Sequence, residues 1–424
     1  MNDYFFSKMN DSSNIDNEFD FPNFPKELIE IFKKTAIKIG IKRIALVGGI
    51  VRDKLIYEYF QESLTTRKDI DIVIEGSVDE LAKEIKESLG TSRVAILREN
   101  KSYHTIAMEV DGIFIDLSTA RKESYISPAE NPQIANSSLE EDLQRRDFTA
   151  NAMAYDLINK QFLNLKKGSE SIIKRQLEVI HRQSITEDPT RIIRGARYAS
   201  RLNFQLAPTT LNQVQSTLKN WPWHWRPEDD PMKAPPSLGV RLRMELELLL
   251  NHEPWEKALQ HLQDWGALLL LDKALQNDHE WKRRIHWASK LKANTLTALV
   301  AGTSNSPAIA KRLQLPLHQQ KMLSESLAIQ KFTNELYVAN GYLNWQPSNW
   351  CKAIEEANWH SDAIAITICL RTPLWKPLFK WLKYWRFIKS PTSAKELIER
   401  GWLPGPELRK ELNRLRDRQL DRFH

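Results

Sequence analysis

The sequence predicts an α+β protein, with a mixed α/β head followed by helices through most of the remaining chain. Three observations carry this. Short apolar runs with period-2 alternation concentrate between residues 41 and 120. Beyond residue 140 the apolar spacing is helical almost throughout. The chain is 424 residues long, enough for several domains. The expected layout is a leader at residues 1–25, a head at 26–160, a helical neck at 161–220, a helical body at 221–345 and a helical tail at 346–424.

The leader carries Asp3, Asp11, Asp16, Glu18 and Asp20 against Lys8 alone in its first 20 residues, and is rich in Asn and Ser. Such a stretch cannot bury enough apolar surface to fold and is read as disordered. Residues 41–46 then form a short apolar strand. Val47-Gly48-Gly49 breaks it, and residues 50–59 have helical spacing. Glycines at such a turn let backbone N–H groups approach an anion, and the helix N-terminus just beyond adds partial positive charge. Arg52, one turn into this helix, is placed to reach a phosphate; an ordinary strand-to-helix turn with a solvated arginine is the plain alternative.

Asp69-Ile-Asp-Ile-Val-Ile alternates with period 2, so Asp69 and Asp71 share one face and Ile70, Ile72 and Ile74 the other. Two carboxylates side by side repel each other unless a cation sits between them. Mg²⁺ prefers carboxylate oxygens together with substrate phosphates, and phosphoryl chemistry uses such a seat. The plain alternative is an exposed strand with two solvated acids. Residues 109–117 read as a hairpin around Asp111-Gly112, a favoured turn pair. Asp116 on its second strand is the candidate third acid.

Two later segments carry charge in a pattern. Arg145-Arg146-Asp147 precedes Phe148-Thr-Ala-Asn-Ala-Met-Ala154, which is expected to continue as a helix capped by Asp147. Asp188 precedes Pro189, a natural helix start. Arg191, Arg194 and Arg197 follow at steps of three and share a helical stripe with Asp188. Three arginines on one face repel one another unless something anionic lies across them, and a triphosphate or RNA backbone fits. Cytosine and adenine both present an exocyclic amino donor beside a ring-nitrogen acceptor, which a carboxylate plus a guanidinium matches. The plain alternative is a capped helix with a basic surface stripe.

Further on, residues 221–238 contain Pro222, Pro227, Pro231, Pro235 and Pro236 and read as a loop. Residues 240–250 and 255–271 have helical apolar spacing. Pro347-Ser-Asn and Ser390-Pro-Thr-Ser mark breaks, with Ser393 as a cap for the last helical unit.

Taken together these segments resemble the class II tRNA nucleotidyltransferase and bacterial poly(A) polymerase family. Gly-Gly-x-Val-Arg-Asp with Asp-x-Asp looks like its motif A, residues 139–154 like motif B, and Glu187-Asp188-Pro-Thr-Arg191-Ile-Ile-Arg194-Gly-Ala-Arg197 like the nucleotide-selecting motif D. Gly401-Trp-Leu-Pro-Gly-Pro is similar to an element of the tail in many members. The resemblance implies a nucleotidyltransferase head with a polymerase-β-like sheet. It implies that Asp69 and Asp71 hold Mg²⁺, with Asp116 completing a catalytic set. It also implies that Gly48, Gly49, Arg52, Arg146, Asp147, Arg194 and Arg197 bind the incoming nucleotide. Asp188 and Arg191 would act as an amino-acid template for the base. Arg145 is read as solvated.

Composition agrees with an RNA partner without establishing it: 61 Lys+Arg against 54 Asp+Glu give net +7, with fourteen tryptophans, most of them expected in helix packing. Cys351 and Cys369 are read as reduced core residues; the absence of CxxC and HExxH motifs gives no support to zinc. No apolar run is long enough for a bilayer and the leader lacks signal-peptide features, so the expected location is the cytosol. The expected activity is template-independent, Mg²⁺-dependent addition of C and A from CTP and ATP, or of only one of them, to the 3′ end of tRNA. A bacterial poly(A) polymerase is the first alternative. A non-catalytic RNA-binding protein is the second. In the family the loop between motifs A and B influences which nucleotides are added. Here it keeps Arg121-x-Glu123-x-Tyr125 and is shorter than in some CCA-adding members, which leaves CC-adding and A-adding specialists open.

Overall fold

A computed structural model describes residues 21, 24–62 and 69–422. Most of the acidic leader lies outside the described residues. Phe21 and Phe24, which the sequence reading assigned to that leader, are buried, Phe21 with its ring 5.6 Å from Tyr155 and Phe24 with its ring 6.0 Å from Phe32. The head therefore begins before residue 26, because these aromatics find apolar partners.

The chain divides into two compact units, Met1–Pro222 and Trp223–His424, and the division falls in the proline-rich stretch. The first unit opens with helix α1 (Lys26–Lys38), strand β1 (Ile44–Val47), helix α2 (Gly49–Phe60), strand β2 (Asp69–Ile74) and helix α3 (Val78–Leu89). Strands β3 (Val94–Asn100), β4 (Thr105–Val110) and β5 (Ile113–Thr119) follow, then a small hairpin of β6 (Arg121–Ser124) and β7 (Gln133–Asn136). Helix α4 (Leu139–Gln144) leads to β8 (Ala154–Asp156) and β9 (Gln161–Leu163).

Seven strands form one mixed sheet in the order β3-β4-β5-β2-β1-β8-β9. β2 and β5 run parallel, and the other neighbours are antiparallel. The β4–β5 turn has Asp111 at φ 50° and Gly112 at φ 78°, the left-handed pair that suits a tight hairpin. Arg93 holds it through hydrogen bonds to both Asp111 oxygens. Ala45, Val47, Val73, Leu139, Leu143 and Ala154 form an apolar cluster that joins the sheet to α4. Arg43, just before β1, donates to Glu140 at 2.5 Å and to the buried Asp156 at 3.0 Å, tying α4 and β8 to the same strand end.

The expected helix over residues 148–154 is corrected. Those residues form one 3₁₀ turn, Thr149–Asn151, and then enter β8. β8 is needed to pair with β1 in the sheet, so tertiary pairing overrides the local helical pattern. After β9 the unit continues with α5 (Gly168–Ile173), β10 (Gln176–Leu177), α6 (Ser184–Glu187), α7 (Thr190–Leu202), β11 (Gln205–Leu206) and α8 (Pro208–Asn220). β10 pairs parallel with β11. The Thr149 amide donates to the Glu178 carbonyl at 2.8 Å, which ties the segment after α4 to the strand leading into α7.

Among its described residues the second unit holds helices and loops but no strand; after two 3₁₀ turns, Pro231–Lys233 and Pro236–Leu238, its first α-helices are Val240–His252 and Trp255–Asp264. The expected helix over 255–271 stops at Gly266, in the left-handed region at φ 78°, and resumes as a 3₁₀ turn. Ser393 caps Ala394–Glu399 in a reciprocal pair with Glu396, and the last helix is Pro406–Leu420. Cys351 and Cys369 are buried and unpaired, and burial pushes both thiols up to about 12. Of the fourteen tryptophans only Trp402 is exposed.

Candidate active site

β2 and β5 are parallel neighbours with Asp71 opposite Asp116 and Asp69 opposite Phe114. Residues in register on adjacent strands share a face, so Asp69, Asp71 and Asp116 converge on one side while Ile70, Ile72, Ile115 and Leu117 are buried on the other. The side chains of all three acids reach solvent. Asp71 is nevertheless closely surrounded by protein atoms. Its carboxyl is pushed up to about 6, first by this desolvation and then by Asp116 and Asp69; Arg146 and Arg52 pull the other way. Asp116 is also raised, by burial and by Asp69 against the pull of Arg98.

Gly48 closes the site on the β1 side. It caps α2 at φ 69° and ψ −125°, a conformation that essentially only glycine tolerates. A Cβ there would stand 3.3 Å from both Arg146 Nη1 and Asp71 Oδ2. The glycine turn, the acid and the arginine therefore meet at one place. No side chain caps α2, so its first N–H groups face the same turn without an internal partner.

The arginines divide differently from the expectation. Arg52 is buried, with Nε and Nη2 on Asp53 and Nη1 on Asn151 at 2.7 Å. It is locked by these partners and lies against Gly49, bracing the turn. Arg146 donates to Asp142 at 3.1 Å, and its buried Nε has no hydrogen-bond partner. Arg145, read as solvated, is held by Asp142 at 2.7 Å and by Glu123 at 2.9 Å. That expectation fails because α4 carries the Asp142 carboxylate three residues ahead, within reach on the same helical face.

Asp147 does not cap a helix. Its Oδ1 accepts from the Phe148 amide and from Asn151, and its Oδ2 accepts from Arg194 Nε at 2.8 Å. Burial works to raise this carboxyl, but Arg194 and the hydrogen bonds from Asn151 and Phe148 outweigh it and hold it down at about 2. An internal carboxylate thus lies across part of the arginine stripe. Arg194 also reaches the Tyr198 hydroxyl at 3.1 Å, and the Tyr198 ring lies within 5.8 Å of the Arg52, Arg194 and Arg201 guanidiniums. Gly195 lets α7 lie against Phe148, whose ring would stand 3.0 Å from a Cβ at that position.

Asp188 precedes α7, and its Oδ1 accepts from the Thr190 amide and hydroxyl, so it secures the helix start from one residue further out than a cap. Arg191 is buried; its Nη2 donates to the Arg145 carbonyl at 3.1 Å, and its Nη1 has no hydrogen-bond partner. Arg191 lines a cavity of about 180 Å³ with Arg145, Glu123, Tyr125, His181 and Glu187. Arg197 is buried on the same helix. Asp142, Asn151 and Tyr198 were not singled out in the sequence, and Glu123 was noted there only within the Arg121-x-Glu123-x-Tyr125 loop. Only Asp142 left a readable signal, its i, i+3 and i, i+4 spacing to the two arginines.

Among the described residues no three His, Cys, Asp or Glu side chains form a metal cage by themselves. The Asp69, Asp71 and Asp116 set fits a different kind of seat. Hard carboxylate oxygens crowd with negative charge that Arg146, Arg52 and Arg98 offset only in part, and phosphates and water would complete the coordination.

A parallel β2–β5 pair bearing aligned acids thus stands beside a glycine turn at a helix start. Residues 44–178 match the model of the poly A polymerase head domain. The chain is also similar in sequence to tRNA nucleotidyltransferases. It is 34% identical to the A-adding tRNA nucleotidyltransferase of Aquifex aeolicus over 40% of this chain and 19% of that protein. It is 33% identical to the CC-adding tRNA nucleotidyltransferase of Deinococcus radiodurans over 54% of this chain and 55% of that one. The matches thus span about half or less of these relatives' length. Among solved structures, a CCA-adding enzyme in apo form matches with TM-score 0.70 and 21% identity, covering 94% of this chain and 93% of the other. The Thermotoga maritima CCA-adding enzyme complexed with tRNA matches with TM-score 0.67 and 20% identity, covering 95% and 93%.

Proposed function

We propose that this chain is a template-independent tRNA nucleotidyltransferase that adds C, A or both to the tRNA 3′ end from CTP and ATP, with release of pyrophosphate. The observation that carries it is the meeting of Asp71, Asp116, Gly48 and Arg146 at one place. Carboxylates for a cation, a turn for a triphosphate and a cation for its charge are the parts that nucleotidyl transfer requires. Homology to CC-adding and A-adding relatives supports the acceptor and the donors. CCA-adding enzymes of similar fold have been solved with CTP and with ATP.

Asp69 and Asp71 would hold Mg²⁺, with Asp116 beside them. Bound there, the ion would supply Lewis-acid activation of the RNA 3′-hydroxyl and charge neutralisation at the leaving pyrophosphate. The Gly48 turn and the free N–H groups of α2 receive phosphate oxygens. Arg146 adds charge next to Asp71. Arg52 braces the turn through Asn151 and Asp53. Asp188 and Arg191 read the base, Arg191 with the Nη1 donor left over from its bond to the Arg145 carbonyl. Asp147 fixes Arg194, and Arg197 lies beyond it on the same helix. This helix would form the neck, with body and tail in the second unit carrying the tRNA.

The test offers tRNA transcripts ending at the discriminator base, at C or at CC, with each nucleoside triphosphate singly and Mg²⁺ present. One or two C, a single A, or the full series is the expected product. No extension of any transcript would refute the reading, and long A tails on unrelated RNA would instead identify a poly(A) polymerase.

A further inference from the structure

We propose that Asp142 is a positioning residue that holds the phosphate side and the base side of the site in one register. This rests on the nucleotidyl-transfer reading above. Asp142 is fully buried on α4, and its two oxygens serve different partners. Oδ2 accepts from Arg146, the arginine beside Asp71 and Gly48. Oδ1 accepts from Arg145 Nε at 2.9 Å and Nη2 at 2.7 Å, and from the Arg121 amide at 3.3 Å.

The Arg145 side continues toward the cavity. Its Nη1 donates to Glu123 on β6, and its backbone carbonyl fixes Arg191. Adjacent residues in the chain thus point their guanidiniums to two halves of the site, and one carboxylate anchors both. Burial acts to raise Asp142, and the Arg146 and Arg145 guanidiniums overcome it, so the anchor stays ionised. A shift of Asp142 moves Arg146 relative to Asp71 and Arg145 relative to Arg191 together. A reacting site is sensitive to such motion, since displacement by 1 Å costs on the order of 100-fold in rate.

Asp142→Glu keeps the charge and displaces it by one methylene. Glu123→Gln loosens Arg145 and leaves the Arg146 bond in place. Both are compared with wild type by thermal melting, by equilibrium binding of CTP, ATP, UTP, GTP and inorganic triphosphate, and by single-turnover addition to tRNA. Asp142→Glu is expected to melt within a few degrees of wild type. It is expected to lose about 100-fold in single-turnover rate, to bind inorganic triphosphate more weakly, and to lose its preference for CTP and ATP over UTP and GTP. Glu123→Gln is expected to lose preference while binding inorganic triphosphate as wild type does.

Wild-type rate and preference in a folded Asp142→Glu protein overturn the proposal, as does loss of one without the other. If Asp142→Glu does not fold, unchanged preference in Glu123→Gln overturns it. Wild-type protein that binds nucleotides with a preference yet extends no RNA refutes the function but leaves the positioning role to the binding ratios. Equal wild-type binding of all four nucleotides refutes the positioning role.

Discussion

Asp71 bears an electrostatic cost that its neighbours only partly relieve. A carboxyl held near 6 binds its proton more tightly in the fold than the unfolded chain does at its ordinary 3.8. Ionising it therefore lowers stability as pH rises through that window. A divalent cation between Asp69 and Asp71 offsets the cost, so Mg²⁺ is expected to raise Tm near neutral pH. The gain should shrink as pH falls below about 6, where protons compete for the site; melts across pH with and without Mg²⁺ read this directly. Asp71→Asn is expected to cut addition by about 100-fold or more, leave tRNA affinity within about twofold, and leave Tm unchanged or higher. A retained rate removes the metal-seat assignment. Asp147 has the opposite sign. Its carboxyl at about 2 gives stability that is present above the unfolded value and lost as pH falls through 2. Asp147→Asn should cost on the order of 2–3 kcal/mol at neutral pH. Its melting difference from wild type should close as pH falls from about 4 toward 2.

At the scale of elements, the turn between β1 and α2 and the helix α7 do most to shape the site. Gly48→Ala would force a side chain into φ 69° and against Arg146 and Asp71. The expected cost is about 1–3 kcal/mol in stability. A parallel loss of affinity for inorganic triphosphate should be measured by calorimetry; unchanged affinity would argue that the turn does not receive phosphate. The two halves of this reading were unequally visible in the sequence. The period-2 pattern at residues 69–74 announced a strand with two acids on one face, and the Asp111-Gly112 pair announced the hairpin that delivers Asp116. The pattern at 148–154 suggested a helix, and the need to pair β8 with β1 made it a turn and a strand. Arg145 was read as solvated although Asp142 stands three residues ahead of it, and nothing local in the sequence reveals that Glu123, on another element, reaches it as well.

Across the whole molecule, two compact units divide the chemistry from the bulk of the helices. In the second unit Tyr384 and Phe387 are exposed beside Lys383, Arg386 and Lys389, and the Arg386 guanidinium lies 4.7 Å from the Phe387 ring. Exposed rings among cations suit stacked bases and a phosphate backbone. Replacing both rings by alanine is expected to weaken tRNA binding about tenfold or more, since each stacked base contributes about 1–3 kcal/mol. CTP and ATP binding should be unaffected, as filter binding and calorimetry would check; intact tRNA affinity would remove this surface from the RNA path. Among the described residues no helix is long and apolar enough to cross a membrane.

By itself the sequence determined the α+β class, the pair Asp69 and Asp71 on one strand face, and the start of α7 at Asp188-Pro189. These depend on local periodicity and turn chemistry, which neighbouring residues encode. Only the tertiary structure decided that Asp116 stands beside Asp71, that Gly48 lies against both Asp71 and Arg146, and that Glu123 reaches Arg145. Those facts depend on sheet register and on which buried charges find each other, and both are set by residues far apart in the chain.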